Sequence, residues 1–186
     1  YFWLAFLWSD VPLVTKVLTV DEANSVFRDS RENVIKFVIE ELQAAIPNLP
    51  VTRPDKDYGR ITKGAALAIL GRVFLAEKRW EDAKNVYKQI MDLGVYSIDA
   101  RFSDLFIEKG ENSKEFLLVS KRMPDIYGNS ILLSCLGFTW GGYHHYSPYN
   151  ELVEDFECVD GLPISESPLF DPENPYANRD PRLLKS

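Results

Sequence analysis

Residues 62–94 constrain the fold of this chain more than any other stretch. Thr62 stands as a side-chain N-cap before Ala65-Ala66-Leu67-Ala68-Ile69-Leu70-Gly71-Arg72-Val73-Phe74-Leu75-Ala76, a run that is apolar almost all round. A helix with that pattern is buried between other elements. A second helical period runs from Glu81 to Leu93, with Ala83, Val86, Tyr87 and Ile90 on one face and Gly94 placed as a left-handed C-terminal cap. Only a few residues around Lys78-Arg79-Trp80 join the two, so the pair must form an antiparallel hairpin. An interior glycine costs about 1 kcal/mol of helix propensity; Gly64, Gly71 and the alanines are expected to let neighbouring backbones come close.

The hairpin reproduces a known spacing. Leu67, Leu70, Gly71 and Phe74 on one helix, with Ala83 and Tyr87 on the other, set small residues between large ones as in tetratricopeptide repeats, although Val95 replaces the terminal proline. An earlier amphipathic helix starts at the N-cap Ser30, buries Val34, Ile35, Val38, Ile39, Leu42 and Ile46, turns Lys36, Glu40, Glu41 and Gln43 to water, and ends at Pro47 and Pro50. It reads as the second half of another hairpin whose first half is 1–8, interrupted by a long insertion over 9–29. Past Gly94 the helical period fades, and 95–98 and 116–120 read as short extended segments around a polar loop at 108–114. The expected fold is mainly α: helical hairpins over 1–94, then an irregular, loop-rich part over 95–186 with a few short strands.

Charge removes several functions. The chain carries 21 basic and 28 acidic side chains, net −7, and so lacks the clustered Lys and Arg that nucleic acid or anionic lipid requires. Much of the acidity is local: 150–181 holds nine acidic residues and one basic, and five of the eleven prolines fall between Pro163 and Pro181. That tail is expected to be a wrap rather than a helix. Cys135 and Cys158 allow at most one disulfide and match no zinc spacing. The apolar start at 1–8 stops at Ser9-Asp10, far short of the roughly 20 residues of a membrane span, and has no basic n-region of a signal peptide. A first residue of Tyr rather than Met leads to the expectation of an internal portion of a larger protein.

Five aromatic residues occur in the twelve of Phe138-Thr139-Trp140-Gly141-Gly142-Tyr143-His144-His145-Tyr146-Ser147-Pro148-Tyr149. A ring left in water forfeits roughly 1.5–3 kcal/mol of burial, so such a loop needs a purpose. One reading is a carbohydrate platform, with ring faces stacked on sugars and Tyr, His or Asn side chains bonding their rims. The other is that Trp140 and some tyrosines pin the loop to the core. The candidate glycan-binding residues are Trp140, Tyr143, His144 and Tyr146. His144 and His145 are adjacent, so both imidazoles cannot serve one helix-face metal site, and spacing implies no third ligand. Glu151, Glu154, Asp155, Glu157 and Asp160 could supply two glycosidase carboxylates, but nothing singles out a pair, and a solvated acidic face is the default. GxSxG, HExxH, P-loop and dinucleotide motifs are absent. No enzyme is expected and no cofactor; calcium stays open as an aid to binding, with no motif that indicates it.

Several segments in order resemble one family. They are Trp8-Ser9-Asp10-Val11-Pro12-Leu13-Val14, Ser30-Arg31-Glu32, Leu49-Pro50, Gly59-Arg60-Ile61-Thr62-Lys63-Gly64-Ala65-Ala66-Leu67, and the hairpin through Trp80 to Tyr96-Ser97. Asp104-Leu105-Phe106, Glu111-Asn112-Ser113-Lys114-Glu115, Glu151-Leu152-Val153-Glu154-Asp155-Phe156, Asp160-Gly161 and Asn178-Arg179-Asp180-Pro181-Arg182-Leu183 complete the set. Together they resemble the SusD/RagB family of outer-membrane nutrient-binding lipoproteins of Bacteroidetes, across nearly the whole chain.

The resemblance implies tetratricopeptide-like hairpins supporting an irregular ligand face, and a glycan or other nutrient as ligand in polysaccharide utilization. It also implies a TonB-dependent SusC-like transporter as partner and a location at the cell outer membrane as a surface-exposed lipoprotein. Members are lipid-anchored through a cysteine, and neither Cys135 nor Cys158 is placed for that role, so the anchor is expected outside this chain. For Arg179, Asp180 and Arg182 it implies a structural role, read as ion pairing that pins the Pro-rich wrap. The competing reading is a tetratricopeptide interaction scaffold without a small ligand, which expects buried rings at Trp140 and Tyr143; a glycoside hydrolase ranks third.

Overall fold

A computed structural model describes residues 1–120, 128 and 131–184. The fold is mainly helical, and the chain divides into two compact units, Tyr1–Lys121 and Arg122–Ser186.

The first unit contains α1 (Phe2–Trp8), α2 (Val20–Asn24), α3 (Arg31–Ala45), α4 (Lys63–Ala76) and α5 (Trp80–Asp92). The caps are those the sequence marks. Ser30 Oγ accepts the Asn33 N–H and Thr62 Oγ1 accepts the Ala65 N–H, satisfying amides that a helix start otherwise leaves without partners. Gly94 follows α5 with φ +67°, the left-handed conformation that glycine adopts without steric cost. Between α4 and α5, Lys78 takes φ +57° and the Arg79 N–H bonds back to the Phe74 carbonyl at 2.8 Å. The Arg79 guanidinium then lies 4.4 Å above the Phe74 ring. The core joins Phe2 and Ala5 of α1, Val34, Ile35 and Ile39 of α3, Leu67, Leu70, Val73 and Phe74 of α4, and Ala83, Val86 and Ile90 of α5.

Gly71 is the notch that the tetratricopeptide-like spacing implies, making room for a bulky partner, and Gly64 makes a second one. A Cβ on Gly71 would come within 2.7 Å of the Tyr87 ring, and one on Gly64 within 2.3 Å of the Tyr96 hydroxyl. Each glycine is a seat for an aromatic ring. Tyr96 also shares a 3.2 Å hydrogen bond with Thr62 Oγ1, and with Leu117 it packs on the helical core. The stretch after Gly94 thus belongs to the same compact unit as the helices. It forms no ladder: among the described residues, strand-like pairing is limited to the isolated bridges Val11–Asp29 and Cys158–Arg179.

The 9–29 insertion is closed rather than loose. The Asp29 N–H bonds to the Val11 carbonyl at 3.1 Å, Asp10 accepts the Arg31 N–H at 2.8 Å, and Tyr1 Oη bonds Val14 in both directions. Inside it, α2 begins with a capping box in which Thr19 Oγ1 accepts the Glu22 N–H and Glu22 accepts the Thr19 N–H. The Lys16 ammonium, then the Thr19 N–H and the Thr19 hydroxyl, all donating to the Glu22 carboxylate, hold it below its usual range.

The second unit holds α6 (Ile131–Cys135), α7 (Asn150–Glu154) and a tail of turns. Both cysteines are unpaired. The tail is a wrap, as its prolines imply, but Arg179 does not pin it by ion pairing. Its side chain is buried, and the guanidinium donates to the carbonyls of Val153 (2.6 Å), Phe156 (2.7 Å) and Pro175 (2.9 Å). Val153 lies in the last turn of α7, where carbonyls lack intrahelical partners, Phe156 just past its end, and one planar fork meets both. The ion pair expected in this motif is the next one, Asp180 with Arg182.

Candidate functional site

The aromatic loop is shaped by its main chain. A 3-10 turn over Phe138–Trp140 ends at Gly141 with φ +79°. The chain then doubles back over the C-terminal end of α6. Tyr143 N–H bonds to the Leu133 carbonyl at 2.7 Å, His144 N–H to Leu136 at 3.0 Å, and the His145 and Tyr146 N–H groups to Ser134 at 2.7 and 3.2 Å. Helix-end carbonyls and loop amides thereby satisfy one another. Gly142 is required at the crossing, since a Cβ there would stand 2.1 Å from the Leu136 carbonyl oxygen.

With the backbone so occupied, the rings point outward. Trp140 is 80% exposed, Tyr146 67% and Tyr143 56%. Tyr143 stacks on His145 with centroids 5.3 Å apart and planes 19° from parallel. His144 takes φ +49°, places Nε2 2.8 Å from Ser147 Oγ, and lies 6.3 Å from the Phe138 ring. All four sequence candidates therefore occupy one loop and are exposed. His145 was not among them; the left-handed turn at His144 brings its ring onto that of Tyr143. Phe138 and Tyr149 are also widely exposed.

Two of the neighbouring candidate carboxylates, Glu154 and Asp160, are hydrogen-bonded within the unit. Glu154 bonds to the Asn150 amide, and Asp160 accepts the Ser167 hydroxyl at 2.8 Å and the Leu162 N–H at 3.2 Å. The Arg182 side chain, and next its N–H, hold the Asp180 carboxyl down to about 2. Among the described residues no group of three or more His, Cys, Asp or Glu is arranged to hold a metal ion. Nor is any helix among them long and apolar enough to cross a membrane.

The first unit offers a separate cleft of about 200 Å³, lined by Arg53, Tyr58, Arg60, Tyr96, Lys114 and Phe116 among others. It is smaller than the roughly 300–1,000 Å³ of common ligand pockets, and Tyr58 partly closes it by bonding to the Glu111 carbonyl at 2.7 Å. None of these residues carries a sequence signal for ligand binding.

No family model matches the chain. It is similar to a SusD-like protein of Bacteroides ovatus, 28% identical over 183 residues, and to SusD-like protein P25 of Formosa agariphila, 26% identical over 128 residues. The alignments cover 87% and 69% of this chain but 33% and 24% of those proteins. A solved SusD-like carbohydrate binding protein from Bacteroides fragilis matches over 100% of this chain and 37% of its own, with a TM-score of 0.92 and 35% identity. The chain thus spans a quarter to a third of the length of the curated relatives it matches. By sequence and by fold, the chain is similar to SusD-like proteins, and its likeness to the Bacteroides fragilis structure runs over its whole length.

Proposed function

We propose that the loop over 138–149 is a glycan-binding surface of a non-catalytic SusD-like protein, held at the outer-membrane surface and delivering glycan to a TonB-dependent SusC-like transporter. The observation that carries this reading is the exposure of Trp140, Tyr143 and Tyr146 on a loop whose backbone is already satisfied. An apolar ring held in water by a rigid support is available to the apolar face of a pyranose, while the Tyr hydroxyls and His144 bond the sugar rim. The likeness to SusD-like proteins and the carbohydrate-binding description of the Bacteroides fragilis relative add support. The interaction-scaffold reading expects Trp140 and Tyr143 to be buried, and both are exposed. No bond is broken and no cofactor or metal takes part; helical hairpins serve as support.

Calorimetry of the full-length protein against an oligosaccharide panel tests the reading. At least one glycan is expected to bind, and Trp140→Ala to weaken it about ten-fold, the worth of one well-stacked ring. Binding is expected to persist in EDTA. A panel with no binder, or unchanged binding by Trp140→Ala, would defeat the assignment.

A further inference from the structure

We propose that this loop selects uncharged glycans and turns away uronate-containing or sulfated ones; the inference rests on the glycan-binding reading above. Residues 131–184 carry nine carboxylates and two cations, Arg179 and Arg182. Neither cation serves an anionic ligand. Arg179 is buried with its guanidinium on three carbonyls, and Arg182 is committed to Asp180 through its Nε at 3.0 Å and its N–H at 2.8 Å.

Two carboxylates, by contrast, follow closely in sequence on Tyr149, the last exposed ring of the loop. Glu151 follows Tyr149 by two residues, so their Cα atoms are at most about 7.6 Å apart. Glu154 lies three residues further along α7, on the same face as Glu151, and both side chains are exposed. A sugar stacked on this platform meets hydroxyl, imidazole and ring faces, with negative charge at one end. Each carboxylate–anion pair at about 7 Å in water costs about two-fold in affinity at low salt. Two carboxylates facing two anionic sugars multiply to about ten-fold.

The test takes the best-bound glycan of the panel and its chemically sulfated derivative. Both are titrated into the full-length protein at about pH 8, where an ordinary imidazole is neutral, in about 20 mM and about 300 mM NaCl. The derivative is expected to bind about ten-fold more weakly at low salt, with the gap shrinking to about three-fold at high salt. The variant Glu151→Gln with Glu154→Gln is expected to narrow the low-salt gap at least about three-fold, while the affinity for the neutral glycan moves less than about two-fold. A best-bound glycan that is itself anionic, a derivative that binds as tightly as its parent, or a gap indifferent to salt and to the Gln variant overturns the charge selection and leaves glycan binding standing. No binding to any glycan removes both.

Discussion

Replacing Gly71 by alanine sets two effects of opposite sign against each other. In a helix interior the change should stabilise by about 1 kcal/mol, because alanine loses less backbone freedom on folding. At this position the new Cβ would stand 2.7 Å from Cζ and 2.8 Å from Cε1 of Tyr87, about 1 Å inside an ordinary carbon contact. Either the ring leaves its seat or α4 and α5 part, and overpacking of this kind costs about 1–3 kcal/mol. Tyr87 is only half-buried, so its ring can shift in part. A clash cost near the middle of that range leaves Gly71→Ala destabilised by about 1 kcal/mol. The cause is isolated by a second background. With Tyr87→Ala the seat is empty, and Gly71→Ala should there stabilise by about 1 kcal/mol, a coupling of about 2 kcal/mol between the positions. Urea unfolding followed by circular dichroism reads the four proteins, with stability taken from midpoints at constant slope. If Gly71→Ala stabilises the parent protein by about 1 kcal/mol, or the coupling is below about 0.5 kcal/mol, the ring does not occupy the glycine notch and the packing argument fails.

Other outcomes follow from the second unit. Arg179→Met should cost about 3 kcal/mol in urea unfolding, since it strips charged donors from three carbonyls; Arg179→Lys should restore only part, because a point ammonium lacks the planar fork. Loss below about 1 kcal/mol in Arg179→Met would deny the guanidinium its role. Gly142→Ala should lower glycan affinity about ten-fold or more and cost about 1–3 kcal/mol in urea unfolding, because its Cβ meets a main-chain oxygen that cannot swing aside; unchanged calorimetric affinity would refute this. The Asp180 carboxyl titrates near 2 when folded against its ordinary 3.8, so the unfolded chain takes up the proton first as pH falls. Its stabilising contribution is complete above about pH 4 and is lost as pH falls through about 2. The acid limb of a thermal-unfolding profile should be shallower in Asp180→Asn over that window, and superimposable limbs would show that Asp180 plays no part.

The helices were legible because their signals are local. Ser30 and Thr62 cap the amides three residues on, and Gly94 ends α5 through its own φ. The same logic could have found α2, since Thr19-x-x-Glu22 is a capping box in plain sequence. What periodicity could not supply is the partner across a gap in the chain. Tyr96 sits on Gly64 thirty-two positions away, and nothing within 95–98 distinguishes a ring bound for a helix from a ring in a strand. Arg179 is illegible for another reason. Its acceptors are carbonyls, which every residue carries, so the only partners a sequence displays are carboxylates, and the motif was read as an ion pair. The aromatic loop shows both sides: its composition marks out 138–149 as a stretch of rings, and those at 140, 143 and 146 are exposed, whereas the stacking of His145 on Tyr143 depends on the path set by α6.

That path bears on how a site of this kind can change its ligand. The loop takes its shape from amides bonded to α6 carbonyls and from one glycine crossing, all of them main-chain features. Trp140 and Tyr146 add exposed area rather than core burial, and substituting them leaves those bonds in place. A ring exposed in the folded chain is in water in the unfolded chain too, so removing it forfeits little burial and such changes should be nearly neutral for stability. Specificity and fold then rest on separate atoms. On the proposed glycan-binding reading, side chains at 140, 143 and 146 can be exchanged to suit another sugar, while Gly142 and the α6 carbonyls hold whatever stands there in the same place.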